Sequence, residues 1–158
     1  MLHTLLNTLP QQGSVEWIGL RKQKRATLNV VNSVHASTTE GLVGDRYSGK
    51  LTKRQTTLIQ AEHLDAIASM LNLKECPPEL LRRNIVIKGL NLLALKGKDF
   101  KIGEVTLRYT GLCHPCSRME EIFGPGGYNA VRGHGCITAQ VIQDGTIRLN
   151  DAVKAINL

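Results

Sequence analysis

Short apolar runs separated by glycine-rich or charged turns recur along the chain, and this spacing is typical of a domain built mainly from β-strands. Residues 14–20 and 27–34 are rich in β-branched side chains and flank the basic run 21–25. They predict two strands joined by a charged, solvated hairpin loop. Asp144-Gly145 is the strongest hairpin signal. Further strands are expected at residues 54–59, 85–87, 100–110, 137–142, 147–149 and 152–156.

One segment, residues 60–71, has helical periodicity, and its apolar side chains recur at i, i+3, i+4 and i+7. This stripe consists of Leu64, Ile67, Ala68 and Leu71. His63 lies beside the stripe and is expected to be a structural histidine with satisfied hydrogen bonds. Many short strands, several glycine turns and one long helix predict a mainly β fold with a few helices (α+β). We expect a closed or half-closed barrel, formed as a single domain over residues 1–158.

The composition is that of an ordinary folded protein, with 42% hydrophobic and 21% charged residues in 158. Lysine and arginine (20) exceed aspartate and glutamate (13), and the net charge of +7 favours an anionic ligand or partner. We do not expect nucleic acid binding, because few aromatic residues lie among the basic ones and no known binding motif is present. No window approaches the ~18 apolar residues that span a bilayer, and no secretory signal is found. The sequence therefore predicts a cytoplasmic protein without a membrane partner.

The segment around Cys116 carries the candidate chemistry. Ser117 followed by Glu120 is a capping-box pattern, so we expect Ser117 to be the N-cap of a short helix that stops at Gly124-Pro125. Cys116 would then lie one residue before the positive end of a helix, beside Arg118, and both features favour a thiolate. A thiolate is a nucleophile and a soft metal ligand.

Other roles for the cysteines remain open at this stage. The expected cytoplasmic location predicts reduced thiols without disulfides. Cys76 and Cys136 fit buried structural thiols. Cys113 and Cys116 have the spacing of a redox dithiol, although no thioredoxin-like βαβ pattern surrounds them. A zinc site is the second alternative, with four nitrogen and sulfur ligands from two short segments. These ligands would be Cys113, Cys116, His134 and Cys136.

Two polar clusters precede this segment. The glycine-rich loop 41–49 is expected to hold Asp45 and Arg46 at the surface. Arg82, Arg83 and Asn84 lie just before a predicted strand, where alternation places Arg82 and Asn84 on one face. Guanidinium groups bind phosphate or carboxylate, so this second cluster is a better anion site than the loop at 21–25.

Five short segments, taken in order, resemble the MOSC domain, a family named for the C-terminal part of molybdenum cofactor sulfurases. They are Gly44-Asp45-Arg46, Arg54-Gln-Thr-Thr-Leu-Ile, Arg82-Arg-Asn-Ile, Pro115-Cys116 and Arg132-Gly with the final Asn150-Asp-Ala-Val. The resemblance covers residues 13–158 and leaves 1–12 as an N-terminal extension. It implies a β-barrel-like fold that binds the pyranopterin molybdenum cofactor (molybdopterin) or carries sulfur on a signature cysteine.

Carried over by residue, the resemblance makes Cys116 the signature cysteine, as catalytic residue and molybdenum ligand. Arg82 or Arg83 with Asn84 matches the motif for the pterin and its phosphate. The remaining cofactor-binding candidates are Asp45, Arg46, Arg54, Gln55, Gln60, Cys113 and Arg118. Two departures are Tyr47, where many relatives have histidine, and the missing N-terminal β domain of the reductase and sulfurase relatives.

The resemblance implies the first two of three hypotheses about function, and the cysteine and histidine spacing gives the third. In the first, the protein reduces N-hydroxylated compounds, with Cys116 on molybdenum, electrons from an external donor and no pyridoxal phosphate. In the second, Cys116 carries a persulfide received from a cysteine desulfurase. In the third, the protein is a zinc-stabilised binding module.

Overall fold

The computed structural model describes residues 1–46 and 53–156. Its strands are β1 Gly13–Leu20, β2 Asn29–Val31, β3 Ser33–Ser37, β4 Gly41–Leu42, β5 Thr56–Gln60, β6 Ile85–Lys88, β7 Asp99–Ile102, β8 Val105–Cys113, β9 Cys136–Gln143, β10 Gly145–Arg148 and β11 Ala152–Ile156. Its helices are α1 Leu2–Asn7, α2 Ala61–Met70, α3 Pro78–Leu81, α4 Ser117–Phe123 and α5 Gly127–Val131, with a 3₁₀ turn at Leu92–Leu95. None of these helices has the length and apolar character to cross a bilayer.

Seven strands form a barrel in the order β11-β7-β8-β9-β5-β6-β1, and pairing between β11 and β1 closes it. Val153 of β11 lies opposite Gly13 of β1 and opposite Ile102 of β7. The β5–β6 pair is parallel and the other pairs are antiparallel. The mainly β class and the predicted barrel are therefore confirmed, and the barrel is fully closed.

Strand alternation divides the apolar side chains between two cores. Ile85 and Ile87 of β6 belong to one core together with Phe100, whereas Val86 between them belongs to the other. Successive strand residues point to opposite faces, so β6 contributes to both. The second core also includes Leu64, Ile67 and Ala68 of α2, as the helical stripe predicts.

The first predicted hairpin is only partly correct. β1 and β2 pair as expected, with Ile18 opposite Val31. The segment predicted as the second strand is divided, however, and β3 pairs with β10 and β4 in a separate three-stranded sheet. The chain therefore passes, after β2, from the sheet that forms the barrel to the smaller sheet.

The predicted Asp144-Gly145 hairpin is wrong. β9 pairs with β5 and β8 inside the barrel, whereas β10 pairs with β3 in the smaller sheet. The Asp144 carboxylate accepts a hydrogen bond of 2.8 Å from the Thr38 amide, which links the two sheets at this corner. Asp144 alone separates β9 from β10, and the chain changes sheets at this residue instead of returning along β9.

Two glycine positions also differ from the prediction. Residues 100–110 were expected to form one strand, but Gly103 has a φ of +57° and separates the antiparallel strands β7 and β8. The predicted stop of α4 at Gly124-Pro125 is followed almost at once by a helix that was not predicted, since Gly127 is the first residue of α5. A side chain at Gly127 would overlap α4, since an added Cβ would meet the Met119 carbonyl oxygen.

Candidate functional site

A strongly basic cavity of about 180 Å³ lies where the loops after β1 and β4 meet the start of β6 and the start of α4. We call it the arginine pocket. Its lining has eight basic residues, which are Arg21, Lys24, Arg25, Arg46, Arg54, Arg82, Arg83 and Arg118. The other lining residues described are Asp45, Thr57, Leu81, Asn84, Cys116 and Met119. The structure thus brings the predicted thiol together with most of the predicted arginines.

Asp45 stabilises one side of the pocket through hydrogen bonds. It is buried, whereas the sequence predicted it at the surface. Its Oδ1 accepts a hydrogen bond of 3.0 Å from the Arg21 amide and one of 3.2 Å from the Asn84 side chain. The next amide, that of Arg46, donates to the Arg21 carbonyl oxygen at 2.6 Å. The Gly44-Asp45-Arg46 loop is therefore joined to the end of β1, which explains why both loops face the same cavity.

Asn84 is buried beneath the arginines, and its side-chain amide contacts four protein groups. Its Oδ1 accepts from the Thr57 amide and the Thr57 hydroxyl, both at 3.1 Å. Its Nδ2 donates to the Gly19 carbonyl oxygen at 3.1 Å and to Asp45. An amide side chain offers two donors and an acceptor with two lone pairs, so these bonds use its full capacity. Asn84 therefore positions the pocket loops, and a direct contact with a ligand stays a prediction.

Arg82 ends α3 in the left-handed conformation, with φ of +60°. The predicted alternation is therefore wrong, because the extended strand begins only at Ile85, and Arg82 and Arg83 both line the pocket with Asn84. Burial lowers the pKa of Arg82, and Arg118 and other nearby arginines lower it further, while the Cys116 sulfur opposes these effects. The guanidinium groups thus repel one another across the cavity, and an anion would relieve this repulsion.

Cys116 is an exposed free cysteine at the pocket. It is itself the N-cap of α4, so the prediction that Ser117 caps the helix is wrong. The capping box does not form, since the Glu120 carboxylate instead accepts hydrogen bonds from the amides of Gly126 and Tyr128 at 3.1 and 2.9 Å. Glu120 thereby holds α5 against α4, and Cys116 lies directly before the helix.

Arg118 lies at the start of α4, which brings it to the pocket. Its Nε is buried and has no hydrogen-bond partner in the described part of the chain. Its terminal nitrogen lies 3.8 Å from Glu121, which is a long and solvent-exposed ion pair of little energetic value. Burying a hydrogen-bond donor without a partner costs free energy, so Arg118 is suited to donate a hydrogen bond to a ligand.

Arg21, Lys24 and Arg25 contribute to the pocket, which was not predicted from the sequence. These residues follow β1 in the basic run that was expected to be a solvated loop, but they line the pocket. Arg21 is buried, and its backbone contacts both Asp45 and Arg46. The contact of Arg21 with the loop at Asp45 and Arg46 brings residues 21–25 to the pocket. The charge pattern of these residues does not predict this contact.

Three predicted site residues lie away from the arginine pocket. Gln55 joins strands, since its amide donates to the Thr38 carbonyl oxygen at 3.0 Å and accepts from the Val141 amide at 2.7 Å. Gln60 accepts from the Leu92 amide at 2.9 Å and lines a separate cavity of about 460 Å³ together with Cys113. Tyr47, the residue that departs from the family pattern, falls outside the described residues.

Cys113 and Cys136 form a disulfide between directly opposed positions of β8 and β9, with Cα atoms 4.9 Å apart. The expectation of four reduced cysteines is therefore wrong. Because these two sulfurs are bonded to each other, neither the Cys113–Cys116 dithiol nor the zinc site can form. Within residues 1–46 and 53–156, no group of three or more His, Cys, Asp or Glu side chains could hold a metal ion. Cys76 is buried as predicted, which raises its pKa to about 11.

His63 packs against His134, with ring centroids 5.2 Å apart and nearly perpendicular planes. The prediction of a fully satisfied histidine is wrong, since the Nδ1 atoms of both rings are buried without a hydrogen-bond partner in the described structure. Burial lowers the pKa of His63, and His134 lowers it further, against the opposing effects of Glu62 and the Gly135 backbone.

This pairing predicts that stability falls in mild acid. The native pKa of His63 lies below its ordinary value of 6.5, so the unfolded chain binds more protons just below that pH. The contribution of His63 is fully present above pH 6.5 and is lost as the pH falls through the lowered native pKa. We expect His63→Gln to flatten the decline in melting temperature between about pH 7.5 and about pH 5.5. His35→Gln, at an exposed position in β3, is the control, and an unchanged slope in His63→Gln would contradict this prediction.

The fold and the site can be compared with known proteins. The YuaD protein from Bacillus subtilis has a similar structure, with 16% identity, a TM-score of 0.80 and coverage of 92% of this chain and 97% of that chain. YiiM from Geobacillus stearothermophilus is similar at 14% identity and a TM-score of 0.72, over 92% of this chain and 75% of its own. YiiM from Escherichia coli is similar at 15% identity and a TM-score of 0.68, over 92% and 70%. Such low identities show the fold alone.

Sequence comparison gives the family. No curated protein sequence matches the chain significantly. The model of the MOSC domain, however, matches residues 32–154, which include β3 to β10, the first part of β11 and the pocket residues from Asp45 onward. This match spans well over half of the chain, and the chain therefore belongs to the MOSC domain family.

Proposed function

We propose that the protein binds the pyranopterin molybdenum cofactor at the arginine pocket, with Cys116 as the protein ligand of molybdenum. One observation carries the proposal, which is that eight basic side chains from separate segments share a cavity with an exposed free thiol. Arginine suits the phosphate of the cofactor, because its planar guanidinium binds two oxygens at once. A thiolate suits molybdenum as a soft sulfur ligand.

The pocket fits such an anionic group in two further respects. The buried Nε of Arg118 has no hydrogen-bond partner among the described residues, and a phosphate oxygen would supply one. The mutual repulsion that lowers the pKa of Arg82 would also be relieved by a bound anion. Both observations indicate that the pocket favours a bound anion, and neither depends on the rest of the ligand.

The residues of the pocket would then divide into three roles. Arg82 and Arg118 bind the phosphate, while Asn84 and Asp45 fix the loops that carry the arginines. Cys116, held at the start of α4, supplies the sulfur ligand. When bound, the cofactor would supply oxygen-atom transfer chemistry, here the reduction of N-hydroxylated compounds with electrons from an external donor.

The test is the molybdenum content of protein made in a host that synthesises the cofactor. We expect Cys116→Ser to lose the metal, because a hydroxyl is a poor ligand for soft metals compared with a thiolate. Cys76→Ala is the matched control, since it removes the other free thiol, which is buried away from the pocket, and should retain molybdenum. Equal molybdenum in Cys116→Ser and in the unmodified protein would contradict the proposal.

A second candidate is a sulfur carrier that holds a persulfide on Cys116. The exposure of Cys116 favours it, because a sulfur donor such as a cysteine desulfurase must reach the thiol. Mass spectrometry of freshly isolated protein separates the two candidates. A mass increase of one sulfur atom on the peptide containing Cys116, without pterin or molybdenum, supports carriage, whereas bound pterin and molybdenum support the first proposal.

A further inference from the structure

The arginine pocket carries more positive charge than one phosphate group can neutralise. Eight basic residues and one acidic residue line it in the described part of the chain. A phosphate monoester contributes a charge of about −2 at neutral pH. Arg21, Arg46 and Arg83 have further partners within the chain, but the excess remains when these three are set aside.

Five basic residues remain; Arg54 precedes β5, and the other four approach the cavity from two sides. Arg82 and Arg118 come from the end of α3 and the start of α4. Lys24 and Arg25 come from the loop between β1 and β2. Arg118 and Arg25 both lower the pKa of Arg82, so both sides lie within electrostatic range of the same central guanidinium. The cavity volume of about 180 Å³ equals the liquid volume of about six water molecules, which is room for two linked phosphate groups.

Backbone strain marks the same two sides. Among the described residues, four that are not glycine have a positive φ, and two of these are pocket arginines. Arg25 has φ of +65° and Arg82 has φ of +60°. A long side chain in this conformation is costly and persists only where the surrounding structure enforces it, which is common at ligand sites. The fold therefore places one strained arginine on each side of the cavity.

We infer that Lys24 and Arg25 form a second phosphate subsite, so that the pocket prefers a form of the pterin cofactor whose phosphate is extended to a diphosphate. This inference rests on the proposed function and narrows its ligand class. Arg82 and Arg118 bind one phosphate group and the β1–β2 loop binds the other. A ligand with one phosphate would leave the loop subsite empty.

The test compares inorganic phosphate with inorganic pyrophosphate by isothermal titration calorimetry on the full chain, at one pH and one ionic strength. We expect pyrophosphate to bind at least about tenfold more tightly, because additional charge-assisted hydrogen bonds form. The double variant Lys24→Ala with Arg25→Asn should lose most of the preference for pyrophosphate, so that it binds pyrophosphate only about as tightly as it binds phosphate. Asparagine is chosen at position 25 because it tolerates a positive φ.

Lys22→Ala is the matched control. Lys22 is exposed in the same loop and has the same charge as Lys24, but it is not among the residues that line the pocket. The inference is overturned if the two anions bind equally, or if Lys22→Ala weakens pyrophosphate binding as much as Lys24→Ala alone. In both cases phosphate binding itself, and with it the proposed function, would survive. If neither anion binds, the proposed function fails as well.

Discussion

Replacing Asn84 with alanine is expected to destabilise the protein by about 3 kcal/mol, because several buried groups lose their hydrogen-bond partner at once. The Thr57 amide and hydroxyl, the Gly19 carbonyl oxygen and the Asp45 carboxylate all contact this one amide side chain. The loops that carry Arg46 and Arg82 would also lose their common attachment. We therefore expect phosphate affinity to fall by at least about tenfold, since the guanidinium groups must be held in place to bind together.

Urea unfolding followed by circular dichroism measures the loss of stability. Asn129→Ala, at an exposed position of α5, is the control and should change stability by less than about 0.5 kcal/mol. Asn84→Asp keeps the shape of the side chain but directs an acceptor at Asp45, so it should be at least as destabilising as alanine. The prediction is contradicted if the free energy of unfolding of Asn84→Ala lies within about 1 kcal/mol of that of the unmodified protein.

The second large effect is expected from removal of the disulfide between Cys113 and Cys136. Removing it by replacing Cys113 and Cys136 with serine is expected to cost about 3 kcal/mol, from the loop entropy of a bridge that spans 23 residues. This bridge also fixes the end of β8, from which the chain continues through His114 and Pro115 to Cys116. We therefore expect weaker phosphate binding by the double variant as well as a lower unfolding midpoint.

A thiol reductant tests whether the disulfide stabilises the protein. The unmodified protein should lose stability when it is unfolded in the presence of a thiol reductant, whereas the double variant should not respond. Thiol titration of the denatured, unreduced protein should find two free thiols, those of Cys76 and Cys116. Four reactive thiols under these conditions would contradict the bond.

The fold was predictable where the pattern is local. The α2 stripe and the β1–β2 pair are set by neighbouring residues, and the structure confirms both. Asp144-Gly145 misled the prediction because a tight turn specifies that the chain bends and does not specify which strand it meets next. That choice depends on β3, more than a hundred positions earlier in the sequence, and no local pattern contains it.

The site was predictable to the extent that its residues lie in recognisable segments. Cys116 and the Arg82-Arg83 pair carry the family resemblance and do meet at one cavity. The β1–β2 loop was missed because a run of charges at a turn is usually solvated. Its orientation depends on the buried Asp45, and the burial of an aspartate in a glycine-rich loop has no sequence signature.

Closure of the barrel by the last strand has a consequence during synthesis. β11 joins residue 153 to residue 13 at one edge and to β7 at the other, so a nascent chain that lacks β11 leaves these edges open. Unpaired strand edges are templates for aggregation, and translation adds only about 5–20 residues per second. Chaperones that cover such edges should therefore matter most for this protein until β11 has been synthesised and has paired with β1 and β7.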